Sequence, residues 1–335
     1  MQCKCFRPIK IMNENHLLSI VIPTFNRAVF LDKCLALQIP VAREFSLAIY
    51  VSDNASDDDT KLVVEKRMTE YCHIKYFRND ENIGPDKNFE VALKIPSTNY
   101  IWLMGDTYHI PRDLIDYAIK KISNATNVFD CIVFNVGNRV HDTPCQEYTD
   151  KNKLLIDLGW HMTCMSTLVY SNNLISNANF KRYRETFFIQ TGVIFEYIED
   201  KEFSIYWNNL LSVKNIIIDG VKKKSWQRIT FEVWVDKWVN FIFSLPPSYD
   251  INLKLECVKK HGVKSGLFTT NGLLLLRESG LLNYSFFKKY KNTYPLAINS
   301  NKIVILISCI MPIFIVSWMR LASNTLKKFF RLKIK

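Results

Sequence analysis

The segment Leu17-Leu18-Ser19-Ile20-Val21-Ile22-Pro23-Thr24-Phe25-Asn26-Arg27 decides the fold of this 335-residue chain. Its continuous apolar run, residues 17–22, ends at Pro23 and predicts a buried strand. Helical periodicity over residues 30–37 predicts a helix directly afterwards, with Asn26 as its expected N-cap. A buried strand that passes at once into a helix is typical of an α/β fold.

The same alternation continues along the first half of the chain. Further strand-like runs cover residues 47–51, 73–77, 100–104 and 130–136, and helical patterns cover residues 59–69, 85–93 and 113–122. Continuously apolar strands separated by helices predict a mostly parallel sheet with helices on both faces. In such sheets, ligands bind outside the carboxyl ends of the strands.

Polar clusters follow four successive strands, at the ends where a ligand is expected. They are Pro23-Thr24-Phe25-Asn26-Arg27, then Asp53-Asn54-Ala55-Ser56-Asp57-Asp58, then Arg78-Asn79-Asp80-Glu81-Asn82-Ile83-Gly84 with Asn88, then Gly105-Asp106-Thr107-Tyr108-His109. Singly, each cluster is also compatible with a cap, a solvated turn or a helix-entry glycine. Packing alone does not require all four together, so the set predicts a binding site.

These motifs resemble family 2 glycosyltransferases, which have the GT-A fold, and look closest to the abequosyltransferase-like subgroup of O-antigen and capsule sugar transferases. The resemblance rests on strand-Pro-Thr-aromatic-Asn-Arg, strand-Ser-Asp-Asn-x-Ser and Arg-Asn-x-x-Asn-x-Gly, and it covers residues 17–125. Residues 165–170 are similar to a further strand of the subgroup. The resemblance implies a nucleotide-sugar donor, and a single sugar transferred to a glycan.

The resemblance also implies which residues contact the donor. The nucleotide-sugar-binding residues would be Pro23, Thr24, Asn26, Arg27, Asp53, Asn54, Arg78, Asn82, Gly84 and Asn88. The first loop and Asp53 would hold the base and ribose, because a carboxylate accepts hydrogen bonds from an imide or a hydroxyl. Arg78 can donate to a base carbonyl or to phosphate through its planar guanidinium. The amides and Gly84 would shape the wall of the pocket.

The fourth cluster departs from the family pattern. Two or three carboxylates normally stand there to hold ribose and a divalent cation, and here only Asp106 remains. One carboxylate together with donor phosphates can hold a hydrated Mg²⁺ or Mn²⁺, and His109 is a second candidate ligand. Alternatively, cationic side chains stabilise the leaving diphosphate, with Lys222-Lys223-Lys224 as candidates. The metal requirement therefore stays open, with Asp106 as the expected catalytic and metal-binding carboxylate.

Residues 137–280 are expected to form the acceptor-binding half, after a nucleotide-sugar-binding half over residues 17–136. Direct displacement at the anomeric carbon needs a base for the acceptor proton. The candidates Glu185 and Glu196 flank an apolar stretch, with Glu199 and Asp200 beyond, and Glu196 is preferred because apolar surroundings suit a base. A retaining reaction needs no such base, and the sequence does not fix the stereochemistry.

The basic charge is concentrated in a C-terminal tail, residues 281–335. The chain has net charge +12, yet the tail contains ten Lys or Arg and no Asp or Glu, which leaves +2 for residues 1–280. An apolar run over residues 303–319 is interrupted by Pro312 and has basic flanks. Basic plus apolar character predicts an anionic membrane surface and excludes nucleic acid as the main partner. A kinked, re-entrant or interface-lying segment is favoured, and a single span remains an alternative.

The compartment and acceptor follow from these features. Nine scattered cysteines indicate a reducing environment, with Cys3 and Cys5 too few for a zinc site. Residues 1–16, an N-terminal extension, lack the apolar core of a secretory signal. We therefore expect a protein on the cytoplasmic face of the inner membrane that acts on a polyprenyl-diphosphate-linked glycan. The alternative is a catalytically inactive relative that binds nucleotide sugar or partner proteins there.

Overall fold

The computed structural model describes residues 14–125, 128–221 and 229–320 of the chain, which divides into two compact units. Unit 1 takes residues up to 149 together with 164–178 and 202–219, and unit 2 takes 150–163, 179–201 and the chain from 220 onward. Cys3, Cys5, the lysine run 222–224 and the basic tail beyond Arg320 lie outside the described residues.

Unit 1 is built on one nine-stranded sheet. The strands are β1 (Leu18–Thr24), β2 (Ile49–Asp53), β3 (Ile74–Arg78), β4 (Tyr100–Leu103), β5 (Tyr108–His109), β6 (Cys131–Val136), β7 (Gln146–Tyr148), β8 (Leu168–Ser171) and β9 (Ile205–Asn215). Their order is β3-β2-β1-β4-β8-β6-β9-β5, with β7 paired to β9. The α/β class predicted from the sequence is confirmed.

Parallel pairing holds for the first four strands, and the rest of the sheet is mixed. Strands β1, β2, β3 and β4 pair in parallel, whereas β8 runs antiparallel to both β4 and β6. The reason lies at the carboxyl end of β4, where Ser166 accepts a hydrogen bond from Trp102 Nε1 and another from Gly105 N. The chain therefore enters β8 at the end where β4 leaves, so β8 has to run in the opposite direction. The expectation of a mostly parallel sheet is corrected to this extent.

Helices accompany the strands as the sequence pattern predicts. They are α1 (Ala28–Glu44), α2 (Thr60–Glu70), α3 (Pro85–Lys94), α4 (Arg112–Ser123), α5 (Lys151–Leu158), α6 (Asn172–Asn177), α7 (Ile189–Tyr197), α8 (Trp238–Ser244), α9 (Ile251–Lys264), α10 (Thr270–Glu278), α11 (Tyr284–Lys289), α12 (Tyr294–Ala297), α13 (Lys302–Ile310) and α14 (Ile313–Arg320). Helices α1 to α4 and α6 belong to unit 1.

The two faces of the sheet are covered by different helices. Leu18, Ile20 and Ile22 alternate along β1 and are fully buried in one core cluster with residues of α1 and α4. On the other face, Ser52 of β2 donates a hydrogen bond to Asn88 of α3 at 2.9 Å. Neighbouring residues at the strand ends are consequently directed to opposite sides of the sheet.

Unit 2 is helical and rich in buried aromatic side chains. Phe188 lies 5.1 Å from Trp238 and 5.2 Å from Phe241, measured between ring centroids. A π-helical turn, Glu232–Lys237, leads into α8. No single helix among the described residues is long and apolar enough to cross a membrane, whereas α13 and α14 pass that test as a pair bent by 110°.

Candidate active site

Three of the predicted site residues form a row across the sheet at the carboxyl ends of neighbouring strands. Thr24 of β1 is paired in register with Asp53 of β2, and Asp53 with Arg78 of β3. Residues paired this way in parallel strands lie on the same face, about 4.8 Å apart from strand to strand. Pro23 precedes the row and is buried within β1, paired with Ser52.

Asp53 is completely buried, and four donors surround its carboxylate. Oδ1 accepts hydrogen bonds from Ser56 N at 3.0 Å and from the Ser56 hydroxyl, while Oδ2 accepts from Tyr76 OH at 2.6 Å and from Arg78 Nη1 at 3.0 Å. Burial and the bond to Asp53 raise the pKa of Tyr76 to about 12, so its hydroxyl stays protonated at neutral pH. The carboxylate is thereby fixed in one orientation.

Arg78 keeps donors available for a ligand. Its Nη1 serves Asp53 and the Ser56 carbonyl oxygen, while 40% of its side chain stays exposed. The guanidinium has five N–H donors in a rigid plane, so the remaining ones can reach a base carbonyl or a phosphate.

The first loop is fastened to the second by Asn26, which is not the N-cap expected from the sequence. Asn26 has a left-handed φ of 52°, its N donates to Ser56 Oγ at 2.9 Å, and its side chain accepts from Asp57 N. The N-cap of α1 is Arg27, which makes no side-chain capping bond. The expected capping role is therefore wrong, because the Asn26 side chain is used between loops.

Asp106 lies against the same first loop. It is 5% exposed; its Oδ2 accepts from Thr24 Oγ1 at 3.0 Å, and its Oδ1 lies 3.4 Å from Arg27 Nε. The guanidinium of Arg27 also stands 5.2 Å from the centre of the Phe30 ring. Thr24 consequently connects the row of strand ends to Asp106.

The residues around Asp106 do not provide a protein-held metal site. They supply one carboxylate, one hydroxyl and one guanidinium, and within residues 14–125, 128–221 and 229–320 no group of three His, Cys, Asp or Glu side chains is arranged to hold a metal ion. A divalent cation next to Asp106 would also face the positive charge of Arg27. His109 lies in β5 paired with Lys214, and burial together with that lysine lowers its pKa.

Asn54, Asn82, Gly84 and Asn88 form a network that braces the loop after β3. Asn54 donates to Asn82 Oδ1 at 2.8 Å and to the Gly84 carbonyl, and it accepts from Ile83 N. Gly84 has a φ of 83°, a backbone conformation that glycine adopts without strain. Asn88 is 3% exposed and bonds to Ser52 through both its amide oxygen and its amide nitrogen. These hydrogen bonds are all made within the protein, so they support the loop.

Glu196 belongs to unit 2, at the end of α7. Its carboxylate accepts from Arg182 Nη1 at 3.1 Å and from Tyr183 OH at 2.6 Å. Burial, followed by the bond to Glu196, raises the pKa of Tyr183. The sequence predicts apolar surroundings for the Glu196 carboxylate, whereas in the structure it is bonded to an arginine and a tyrosine. Of the other candidates, Glu185 has a φ of 68°, and Glu199 accepts from Ser248 Oγ at 3.1 Å.

Sequence reasoning missed Tyr76 and gave Ser56 no role of its own. Tyr76 sits in the middle of β3, where alternation alone gives an ordinary half-buried strand residue. The available signal was its position two residues before Arg78, because i and i+2 share a face. That spacing directs both side chains to the carboxylate of the neighbouring strand.

Comparison with known proteins places this arrangement in a family. The model of the family described as glycosyl transferase family 2 matches residues 19–191, about half of the chain. The chain is 26% identical over 219 residues to abequosyltransferase RfbV of Salmonella typhimurium, covering 64% of this chain and 56% of that protein. It is 33% identical over 125 residues to the GalNAc(5)-diNAcBac-PP-undecaprenol beta-1,3-glucosyltransferase of Campylobacter jejuni, covering 36% and 40%. The matches thus span about half the length of these relatives.

Solved structures share the GT-A fold. S. aureus TarS 1–349 in complex with UDP-GlcNAc superposes with a TM-score of 0.56 at 16% identity, covering 87% of each chain. The mannosyltransferase PcManGT from Pyrobaculum calidifontis, solved with GDP-Man and Mn²⁺, gives 0.52 at 13% identity, covering 85% and 86%. Since the family model spans half of the chain and its motifs line the strand ends, this protein belongs to glycosyl transferase family 2.

Proposed function

We propose that this chain transfers a single sugar from a nucleotide-diphosphate-sugar donor to a lipid-linked glycan in bacterial surface polysaccharide biosynthesis. Family membership supports a transferase, and two curated relatives carry the names of an abequosyltransferase and of a glucosyltransferase with an undecaprenol-linked substrate. TarS and PcManGT, which share the fold, were solved with UDP-GlcNAc and GDP-Man.

The observation that carries the proposal is the row Thr24, Asp53 and Arg78, with Asp106 bonded to its first member. Parallel α/β sheets bind ligands at this edge. A nucleotide placed there would meet Asp53 and Arg78 on the side of the base and ribose. The diphosphate and the sugar would then lie toward Thr24 and Asp106.

The remaining predicted residues have two proposed roles: most of them shape the pocket, and one contacts the acceptor. Pro23, Asn26, Asn54, Asn82, Gly84 and Asn88 would hold the two loops so that their backbone forms the pocket wall. Glu196 is proposed as the base that takes the acceptor proton, and its bond to Arg182 would orient the carboxylate.

In this proposal, any divalent cation would be held mainly by the diphosphate of the donor. PcManGT was solved with Mn²⁺. In this chain, Mg²⁺ or Mn²⁺ carried by the donor diphosphate would meet Asp106 as its one carboxylate ligand. Such a cation keeps most of its waters and phosphate oxygens as ligands.

The membrane part of the proposal rests on the bent pair α13 and α14. Each helix buries one side within unit 2, at Ile305 and Cys309 in α13 and at Val316 in α14. The opposite sides expose large apolar side chains, namely Ile303, Val304, Ile307, Ile310, Ile313, Phe314, Ile315, Trp318 and Met319. Helices that are apolar on both sides, with one side packed on protein, suit an interface-lying position in a lipid leaflet.

Polar anchors fix this pair, and basic residues flank it. Arg277 Nε of α10 donates to the Met311 carbonyl oxygen, in the turn between α13 and α14, at 2.9 Å. Glu278 accepts from Ser317 and pairs with Arg320. Exposed Lys288, Lys289, Lys291 and Lys302 precede or begin α13, and such cations attract anionic headgroups. We place the protein on the cytoplasmic face of the plasma membrane, where nucleotide sugars and lipid-linked glycans meet.

The test is donor turnover by the full chain. We expect release of nucleoside diphosphate from one of the UDP-, CDP-, GDP- or TDP-sugars in the presence of membranes that carry polyprenyl-diphosphate-linked glycans. Asp106→Asn should lower kcat by about 100-fold or more, because it removes the carboxylate that holds Thr24 and Arg27 at the reacting end of the donor. Asp116→Asn on α4, where Asp116 pairs with Lys120, is the control and should retain activity.

Two outcomes would contradict the proposal. If none of the nucleoside diphosphates raises the melting temperature of the protein, the donor site is wrong. If they bind and no donor is turned over, the result favours the inactive relative instead.

A further inference from the structure

The role expected for Arg27 does not explain the position of its guanidinium beside Asp106. The family resemblance implies a contact of the first loop with the base and ribose, yet Arg27 Nε lies 3.4 Å from Asp106 Oδ1, whereas the Asp53 carboxylate is paired with Arg78. Nε is buried without a hydrogen-bond partner in the described structure. A buried, unbonded donor is costly, because a desolvated N–H loses its water without replacement.

The rest of the guanidinium is open to a ligand. About a quarter of the side chain is exposed. Among residues 14–125, 128–221 and 229–320, no acceptor for a hydrogen bond from its terminal nitrogens is found, and the guanidinium contacts Asp106 and the Phe30 ring. The carboxylate and the ring hold the plane in place, so little freedom is lost when an anion binds.

The charges of Asp106 and Arg27 suit the binding of a diphosphate. In a site with several carboxylates a cation is needed to offset both the carboxylates and the donor phosphates. Here one carboxylate, Asp106, is already offset by Arg27, and Arg27 can also pair with phosphate oxygens through its free N–H groups.

We propose that Arg27 binds the donor diphosphate and stabilises the leaving group, so that binding of the nucleotide diphosphate does not require a divalent cation. The inference rests on the proposed function. In the transfer, the bond between the anomeric carbon and the β-phosphate oxygen breaks and its electron pair goes to that oxygen. The acceptor oxygen forms the new bond to carbon and loses its proton to a base. Arg27 pairs with the charge that develops on the phosphate.

The experiment measures nucleotide affinity by calorimetry in EDTA. The probes are UDP, CDP, GDP and TDP, each compared with its nucleoside monophosphate, against the wild type, Arg27→Gln and Arg27→Lys. We expect the wild type to bind one of the diphosphates in EDTA. Arg27→Gln should weaken that diphosphate about 10- to 100-fold and the monophosphate far less, because one charge-assisted contact is lost. Arg27→Lys should retain part of the preference for diphosphate.

The matched control is Arg78→Gln, which removes a guanidinium on the side of the base and should weaken diphosphate and monophosphate equally. Melting temperatures of all variants, taken without nucleotide, show whether each one is folded. Equal diphosphate affinity of the wild type and Arg27→Gln would overturn this inference while leaving donor binding intact, and so would wild-type binding that needs Mn²⁺. Failure of the wild type to bind any diphosphate, with or without Mn²⁺, would overturn the proposed function itself.

Discussion

At the scale of single residues, Asp53 shows how much register adds to a sequence motif. The sequence predicts a carboxylate at a strand end, and the structure surrounds it with donors from its own loop and from β3. The donors from β3 depend on Asp53 pairing with Arg78 in register, which no local pattern specifies.

Replacement of Tyr76 by phenylalanine tests this arrangement. Tyr76→Phe removes one donor from a buried carboxylate, so we expect the free energy of unfolding to fall by about 1–2 kcal/mol in urea titrations. Burial, followed by the bond to Asp53, raises the pKa of Tyr76 from its usual 10 to about 12. The stabilisation by this bond is therefore fully present below pH 10 and is lost as the pH rises through 12.

The difference between wild type and Tyr76→Phe should shrink over that pH interval. Tyr284→Phe is the control, because Tyr284 is exposed and its loss should change stability by less than about 0.5 kcal/mol. A difference that stays constant up to pH 12 would show that the hydroxyl does not serve Asp53.

At the scale of secondary-structure elements, one carboxylate satisfies the starts of two helices. Asp58 Oδ2 accepts from Ala28 N, the first residue of α1, at 3.0 Å, while Oδ1 accepts from Thr60 N and Thr60 Oγ1 at the start of α2. Helix N-termini leave N–H groups without partners and favour negative charge. The loop after β2 thus positions both helices.

Asp58→Ala should therefore lower the free energy of unfolding by more than the loss of an ordinary cap does. We expect the free energy of unfolding to fall by about 2–3 kcal/mol, since caps are each worth about 1 kcal/mol and two helices are affected. Asp59→Ala is the neighbouring control, because Asp59 precedes α2 without a side-chain capping bond and should cost less than about 0.5 kcal/mol. Equal losses in urea titrations of the two variants would contradict the assignment.

The elements themselves were largely predictable, and their connections were not. Buried strands and helices up to residue 136 follow from apolar runs and periodicity, because the first half repeats one strand-helix unit. The antiparallel β8 was not predictable, since its direction depends on Ser166 meeting Trp102 and Gly105 from a distant part of the chain. The capping role given to Asn26 failed for a similar reason: its partner, Asp57, belongs to another loop.

At the scale of the whole molecule, the uneven charge matters more than the total. In the sequence, the positive charge is concentrated beyond residue 280, in the segment that also contains α13 and α14 with their exposed apolar sides, while residues 1–280 are nearly neutral. The sequence predicted this segment from composition. It could not show that Ile305, Cys309 and Val316 face inward while their neighbours face outward, which depends on packing within unit 2.

Vesicle flotation of the full chain tests whether the surface formed by α13 and α14 binds membranes. We expect binding to vesicles of phosphatidylglycerol and phosphatidylethanolamine, and weaker binding at high salt because the charges are screened. The double variant Phe314→Ser and Trp318→Ser should lower the affinity by at least about tenfold, because it removes two large exposed apolar side chains from α14.

The control for this experiment is Leu62→Ser, which removes an exposed apolar side chain from α2 in unit 1. It should leave vesicle binding unchanged. Equal binding of the double variant and the wild type would show that the bent pair is not the lipid-facing surface.

The alternation between Ser52 and Asp53 at the end of β2 has an evolutionary consequence. Asp53 faces the row with Thr24 and Arg78, whereas Ser52 is bonded to Asn88 on the other side. A substitution on the Asp53 side of the strand can therefore leave the bond between Ser52 and Asn88 on the other side intact. Under the proposed function, the codon for Asp53 would change with the nucleotide donor, and the adjacent codon for Ser52 only with the packing of α3.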